Sequence, residues 1–265
     1  MTSEDSSVIE LPQMNFVKFL FKILAGLGGG LAGMLLVLVI YLATASFLEP
    51  LSRAEESIVG VSPIFLLILL LMVFLGSLGG NILGALFTYF VDRNKYQKIY
   101  STIIQIVISN VILLFLLLPI YFLAAGVSIT FVAYVAALHF ILSAQMSNLT
   151  LEIAANPQYG LLGVYSTVIA IVFSMIVLFA IYRINGNGTI LLFASLPVIW
   201  SAIGFSSGVV DAVYSWIVKV WGIDFAASNT RYGRDYSPKL LQKEAADAEL
   251  HEENKDVSGS DFLRQ

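Results

Sequence analysis

Between its charged residues the chain carries five uncharged runs, at 23–48, 57–91, 99–151, 153–182 and 184–210. Each exceeds the roughly 20 apolar residues that cross the hydrocarbon core of a bilayer, and 99–151 has room for two crossings. A soluble protein of 265 residues would have to bury all five in one core. Its charged fraction, 12%, is half the roughly 25% of soluble domains. The predicted fold class is therefore an all-α membrane protein, a six-transmembrane-helix bundle. This excludes a soluble enzyme, a nucleic-acid binder and a secreted disulfide scaffold; with no cysteine, thiolate metal sites and cysteine nucleophiles fall away too.

The pattern predicts three regions: a polar N-terminal segment at 1–14, a transmembrane domain at 15–222, and a cytoplasmic, largely disordered acidic tail at 223–265. The spans fall at about 24–46, 63–91, 99–124, 127–147, 161–182 and 189–208. Lys18 and Lys22 precede the first crossing and are expected to snorkel to the headgroups. A loop covers 49–61, with Ser62 and Pro63 as N-cap and first helical position. Ala125 and Gly126 make a tight turn, and Asn148 to Gly160 a polar loop holding Asn156-Pro157. Asn185-Gly186-Asn187-Gly188 is a further turn. At Ser206-Ser207-Gly208 the chain is expected to bend into an interfacial helix at about 209–222, because Asp211, Tyr214, Trp216, Lys219 and Trp221 suit the headgroup layer. A short helix is expected at 237–254 in the tail.

Six spans put twelve of the fourteen Lys and Arg residues on one side, leaving Arg53 and Arg183 on the other. The positive-inside rule makes that side, with both termini, cytoplasmic. The expected location is the cell membrane, plasma or inner.

Glycine spacing gives the clearest packing signal. Ala25, Gly29 and Gly33 recur every fourth residue in the first span, and Gly76, Gly80 and Gly84 do so in the second. Small residues at this spacing allow close backbone approach where lipid supplies no hydrophobic drive for association. They predict a tight hairpin of the first two spans, ahead of an oligomer contact or a pore lining.

The intramembrane polar residues are Asn81, Gln105, Asn110, His139 and Gln145. No charged group lies in the middle of a span, which argues against a carboxylate-based ion pump. Counted from the turn at Gly126, Asn110 and His139 lie at similar depth and are expected to approach each other. Pro119 and Pro197 are expected to kink their helices. Gly204-Phe205-Ser206-Ser207-Gly208 has the G-x-S-x-G spacing of serine esterases but lacks their strand–turn–helix setting. No catalytic, cofactor or metal site is therefore expected.

Two functions remain. The first is a non-catalytic scaffold or subunit of a membrane assembly, with the lipid bilayer and a membrane-protein partner or a second copy as its contacts and no nucleic acid. The alternative is a small transporter or channel for neutral or weakly polar solutes.

Overall fold

The computed structural model describes residues 14–52, 61–93, 95–96, 99–155 and 160–221. Every regular element among them is helical: α1 (Phe16–Ala43), α2 (Ala45–Ser52), α3 (Pro63–Val91), α4 (Ile99–Ala125), α5 (Ile129–Thr150) continued by a π-helical turn (Leu151–Ala155), α6 (Gly160–Asn185) and α7 (Gly188–Trp221). Six helices, all but α2, are long and apolar enough to cross a membrane. The tail, including the helix expected at 237–254, and residues 1–13 lie outside the described residues.

Local chemistry sets several boundaries. The Asn15 carboxamide accepts from the Lys18 amide at 2.7 Å and caps α1, satisfying one of the free amides of the first turn. Ser128 does the same for α5 through the Phe131 amide, at 3.2 Å. Ser62 makes no such bond, so α3 begins on Pro63 alone. Between α6 and α7, Gly186 takes a positive φ of 62°, a conformation that costs glycine least. Asn187 Oδ1 then accepts from the Thr189 amide at 2.8 Å.

Three expectations are corrected. The first span does not run unbroken to residue 46. α1 stops at Ala43, where the Thr44 hydroxyl turns back to the Ile40 carbonyl at 2.7 Å, and α2 follows directly, with Leu48 buried. The fourth span does not end at 147 in a polar loop. α5 and its π turn carry on to Ala155, and Asn148 and Glu152 are buried. The chain does not bend at Ser206-Ser207-Gly208 into an interfacial helix at 209–222, because α7 is one helix of 34 residues. These small residues do not break it. A side chain at Gly208 would strike the Phe19 ring of α1 at 2.5 Å, so the position serves close packing.

α1 lies between α3 and α7 and meets both through glycine. On one face, a Cβ at Gly29 would collide with the Gly84 backbone, and one at Gly33 would lie 2.8 Å from Gly76 O and Gly80 Cα. On the other, a Cβ at Gly26 would collide with the Trp200 carbonyl, one at Gly30 would lie 2.5 Å from Leu196 O, and one at Gly204 of α7 would collide with the Lys22 carbonyl. Neither seam has room for a side chain, which is the backbone contact that small residues permit in lipid. α5 forms the centre of the other half and touches α3, α4, α6 and α7. α4 and α6 lie outermost, with large apolar side chains such as Ile104, Phe115, Leu123, Phe173 and Phe179 exposed.

Candidate functional site

The alternating helices bring the starts of α1, α4 and α6 and the ends of α3, α5 and α7 to one end of the bundle. Six ionisable side chains meet there. Lys18 and Lys22 come from the first two turns of α1, Asp92 and Lys95 from the α3–α4 connector, Glu152 from the π turn and Asp211 from α7. Lys22, 2% exposed, donates to Asp211, 1% exposed, and lies 3.4 Å from both Ser207 Oγ and Asp92 Oδ2. Lys18 Nζ pairs with Asp92 Oδ1 at 2.9 Å. Lys95 Nζ lies 3.0 Å from Glu152 Oε2 and 3.3 Å from Asp211 Oδ2. The Tyr96 hydroxyl donates to Glu152 Oε1.

Three lysines balance three carboxylates, so the set is neutral by charge count. Neutrality matters because each buried ion costs several kcal/mol in lost hydration, recovered only through good pairing. The electrostatics follow from the geometry. Burial alone would lower the Lys95 ammonium, but Asp211 and Glu152 outweigh it and hold that pKa well above the usual lysine value. Burial and then the neighbouring Glu152 carboxylate push the Tyr96 phenol upward, keeping it a donor.

Sequence reasoning missed this network. It assigned Lys22 and Asp211 to the headgroups and Glu152 to a loop. A usable signal was present, however. Lys22, Gly26 and Gly30 are spaced by four, as are Gly204 and Gly208, with Asp211 three further on. Residues so spaced share a helix face. The glycines that seat α1 against α7 therefore also direct Lys22 and Asp211 into that seam.

Deeper in the bundle a neutral network joins four helices, and a separate bond reaches a fifth. Asn81 of α3 donates to Asn110 Oδ1 at 2.9 Å and accepts from the Trp200 indole of α7 at 3.1 Å. Asn110 of α4 donates to Ser147 Oγ of α5 at 3.1 Å and to its own Ile106 carbonyl at 2.8 Å. Asn148 donates to Thr167 Oγ1 of α6 at 3.0 Å.

Asn110 and His139 do not pair. His139 Nδ1 lies 3.3 Å from the Tyr121 hydroxyl, and Asn110 faces Ser147. Asn110 and Tyr121 are eleven residues apart on α4, about 16 Å along the axis at 1.5 Å per residue. Counting from Gly126 set the register of the α4–α5 hairpin wrongly, because the two helices do not leave the turn at equal depth.

The remaining polar candidates divide. Gln105 is exposed on the outer side of α4. Gln145 is 3% exposed, and neither atom of its carboxamide has a partner. His139 Nε2, Ser174 Oγ and Ser206 Oγ are likewise buried without a partner. Ala25, Gly29, Gly33, Gly76, Gly80 and Gly84 are all buried on α1 and α3; Gly84 also seats the Trp200 ring, which a Cβ there would meet at 2.6 Å. Ser206 of the G-x-S-x-G segment sits inside continuous helix, with no hydrogen-bonded base to activate it. Among the described residues no group of His, Cys, Asp and Glu has metal-binding geometry.

Comparison with protein-family models, with curated proteins and with solved structures finds no match.

Proposed function

We propose that this multi-pass membrane protein is a small transporter or channel for neutral or weakly polar solutes, shut at one end by the lysine–carboxylate network. The observation that carries this reading is the burial of Lys22, Glu152 and Asp211 inside the bundle, each at most 2% exposed. Ionisable residues within membrane helices are costly, and those that occur characteristically face a solute path or an internal cavity. The unpartnered Gln145, Ser174 and Ser206 atoms extend polar chemistry inward from that network.

The glycine faces, which on spacing alone could have served an oligomer, are taken up within the chain by α1, α3 and α7. That withdraws one support from the scaffold reading. A membrane-assembly role remains the second reading on one observation: the broad apolar faces of α4 and α6 are exposed, and only lipid or a membrane partner can cover them.

In this proposal the network marks the cytoplasmic end, since twelve of fourteen Lys and Arg residues lie on its side in the sequence. Both termini are then cytoplasmic and the cell membrane is the location. No catalysis or cofactor is invoked.

The test is solute flux into proteoliposomes, followed by stopped-flow light scattering with acetamide, urea and glycerol. The reading expects flux above that of empty liposomes, altered by Asp211→Asn. Flux equal to empty liposomes for every solute, with and without Asp211→Asn, would remove the transport reading.

A further inference from the structure

α7 outruns its neighbours at the network end. Its 34 residues make about 51 Å at 1.5 Å per residue, more than the roughly 40–45 Å of a bilayer with its headgroups. On the α1–α7 seam Gly30 faces Leu196, Gly26 faces Trp200 and Lys22 faces Gly204. By that register Phe16, where α1 begins, is level with about residue 210. α7 therefore projects some eleven residues, about 16 Å, beyond the start of α1, and Asp211 stands at the base of this projection.

The projection has two unlike faces. Val210, Tyr214 and Val218 are buried and cluster with Leu162 of α6. Val213, Trp216 and Val220, at spacings of three and four, share the other face and are 49%, 57% and 55% exposed. They prolong the row of exposed Phe205 and half-buried Val209, which looks outward from the bundle deeper in the membrane. A row that stays apolar past the charged network has the same neighbour on both sides of it, namely lipid. Trp221, the last residue of α7, is also exposed, and its ring lies 6.1 Å from that of Trp216. An indole has an apolar body and one N–H donor, which suits the boundary between acyl chains and headgroups. The charges say which lipid. Asp92, Glu152 and Asp211, the carboxylates described at this end, are all engaged by lysines. Arg93 and Lys219 are left exposed, so the described rim is cationic. Lys219 follows Trp216 by three residues and lies beside it on the helix surface.

We infer that the last three turns of α7 are a docking surface for anionic phospholipid in the leaflet on the network side. In order outward, Val213 meets the acyl chains, Trp216 the glycerol level, and Lys219, about 9 Å beyond Val213, the headgroup phosphate. One basic group near an anionic surface is worth about fivefold in affinity. The inference goes beyond the transport reading and does not use it, because it concerns the rim of the bundle and not its interior.

The experiment uses the full-length protein in nanodiscs of phosphatidylcholine and phosphatidylglycerol, with bromine placed on the acyl chains of one lipid or the other. Bromine quenches tryptophan fluorescence at contact, and the signal lost in Trp216→Phe/Trp221→Phe identifies the rim indoles. Brominated phosphatidylglycerol should quench them with a relative association constant about fivefold above that of brominated phosphatidylcholine. Lys219→Gln should bring that ratio near one, and about 0.5 M salt should lower it. All three positions are exposed, so the variants leave the core of the bundle intact. A ratio of one in the unaltered protein, or a preference untouched by Lys219→Gln, would overturn the inference. So would rim indoles that neither lipid quenches. Quenching regained on truncation after Trp221 would then assign the face to the C-terminal tail, and quenching absent from a particle of twice the mass would assign it to a second copy.

Discussion

The two halves of the bundle are held by different forces. α1, α3 and α7 meet backbone to backbone across glycines, with Gly26, Gly29, Gly33 and Gly204 each within collision distance of a neighbouring helix if a Cβ were added. α4, α5 and α6 are joined instead by side-chain hydrogen bonds: Asn110 to Ser147, Tyr121 with His139, Asn148 to Thr167. Close backbone contact in lipid is gained by shape alone. Side-chain bonds there contribute about 0.6 kcal/mol each on average, because the separated helices find other partners. The first half should therefore be rigid and intolerant of added volume, and the second softer and more able to rearrange. The ionic network ties the halves together, since it draws on α1, α7, the α3–α4 connector and the π turn after α5.

The largest expected effect is at that tie. Asp211→Ala leaves Lys22 and Lys95 buried with one carboxylate fewer. Removing one partner of a buried pair costs about 3–5 kcal/mol, measurable as lost thermal stability in detergent. Replacing Lys22 and Asp211 together by Met and Leu should recover much of that loss, since a buried pair is often no more stable than apolar residues of its size. A double variant as unstable as the two single losses added would show that the pair is not coupled. The network should also be insensitive to pH across the neutral range. The Lys95 pKa is raised above its ordinary value, so its contribution is complete below the unfolded pKa and is lost only as pH rises through the higher folded one. A stability drop between pH 7 and 9 that vanishes in Lys95→Met would contradict this.

Next in size is the glycine seam. Gly29→Leu drives a branched side chain into the Gly84 backbone and should cost about 3 kcal/mol or more. Gly28→Ala on the same helix meets only the Phe87 ring, at 3.3 Å, and should cost far less. Similar melting profiles for the two variants would dissolve the contrast between the faces of α1.

In the softer half, Asn110→Leu removes bonds to Asn81 and Ser147 and should cost about 1–2 kcal/mol at the average for such bonds. His139→Gln should be smallest, below about 1 kcal/mol, because an amide can still meet the Tyr121 hydroxyl. A larger loss at His139 than at Asn110 would reverse the order of the two layers.

The sequence carried the frame of this fold because uncharged run length and glycine spacing are one-dimensional signals. Six apolar helices and the tandem glycines of α1 and α3 can be counted without knowing which helix neighbours which. The functional centre could not be counted that way. Lys22, Asp92, Glu152 and Asp211 are scattered over 190 positions, and each alone looks like an ordinary interfacial charge. Only the second glycine face of α1, aligned with Lys22, pointed to their meeting. The Asn110–His139 expectation failed for a related reason. Hairpin register depends on how two helices leave their turn: Asn110, sixteen residues before Gly126, meets Ser147, twenty-one after it, so its partner lies eight residues, about 12 Å, beyond His139. The continuation of α7 past Gly208 had the same ambiguity, because small residues that break a helix in water can be its contact face in lipid.

The central claim is that the lysine–carboxylate network closes a polar interior, and reactivity of a buried thiol tests it most directly. The chain has no cysteine, so Ser206→Cys introduces a single thiol inward of the network, at a position with no exposure. A small water-soluble maleimide added from the network side of reconstituted membranes should leave this thiol unmodified while the network is intact. In the Asp211→Asn background, with the protein still folded and monodisperse, it should become modified. A thiol equally reactive in both backgrounds, or protected in both, would contradict the claim.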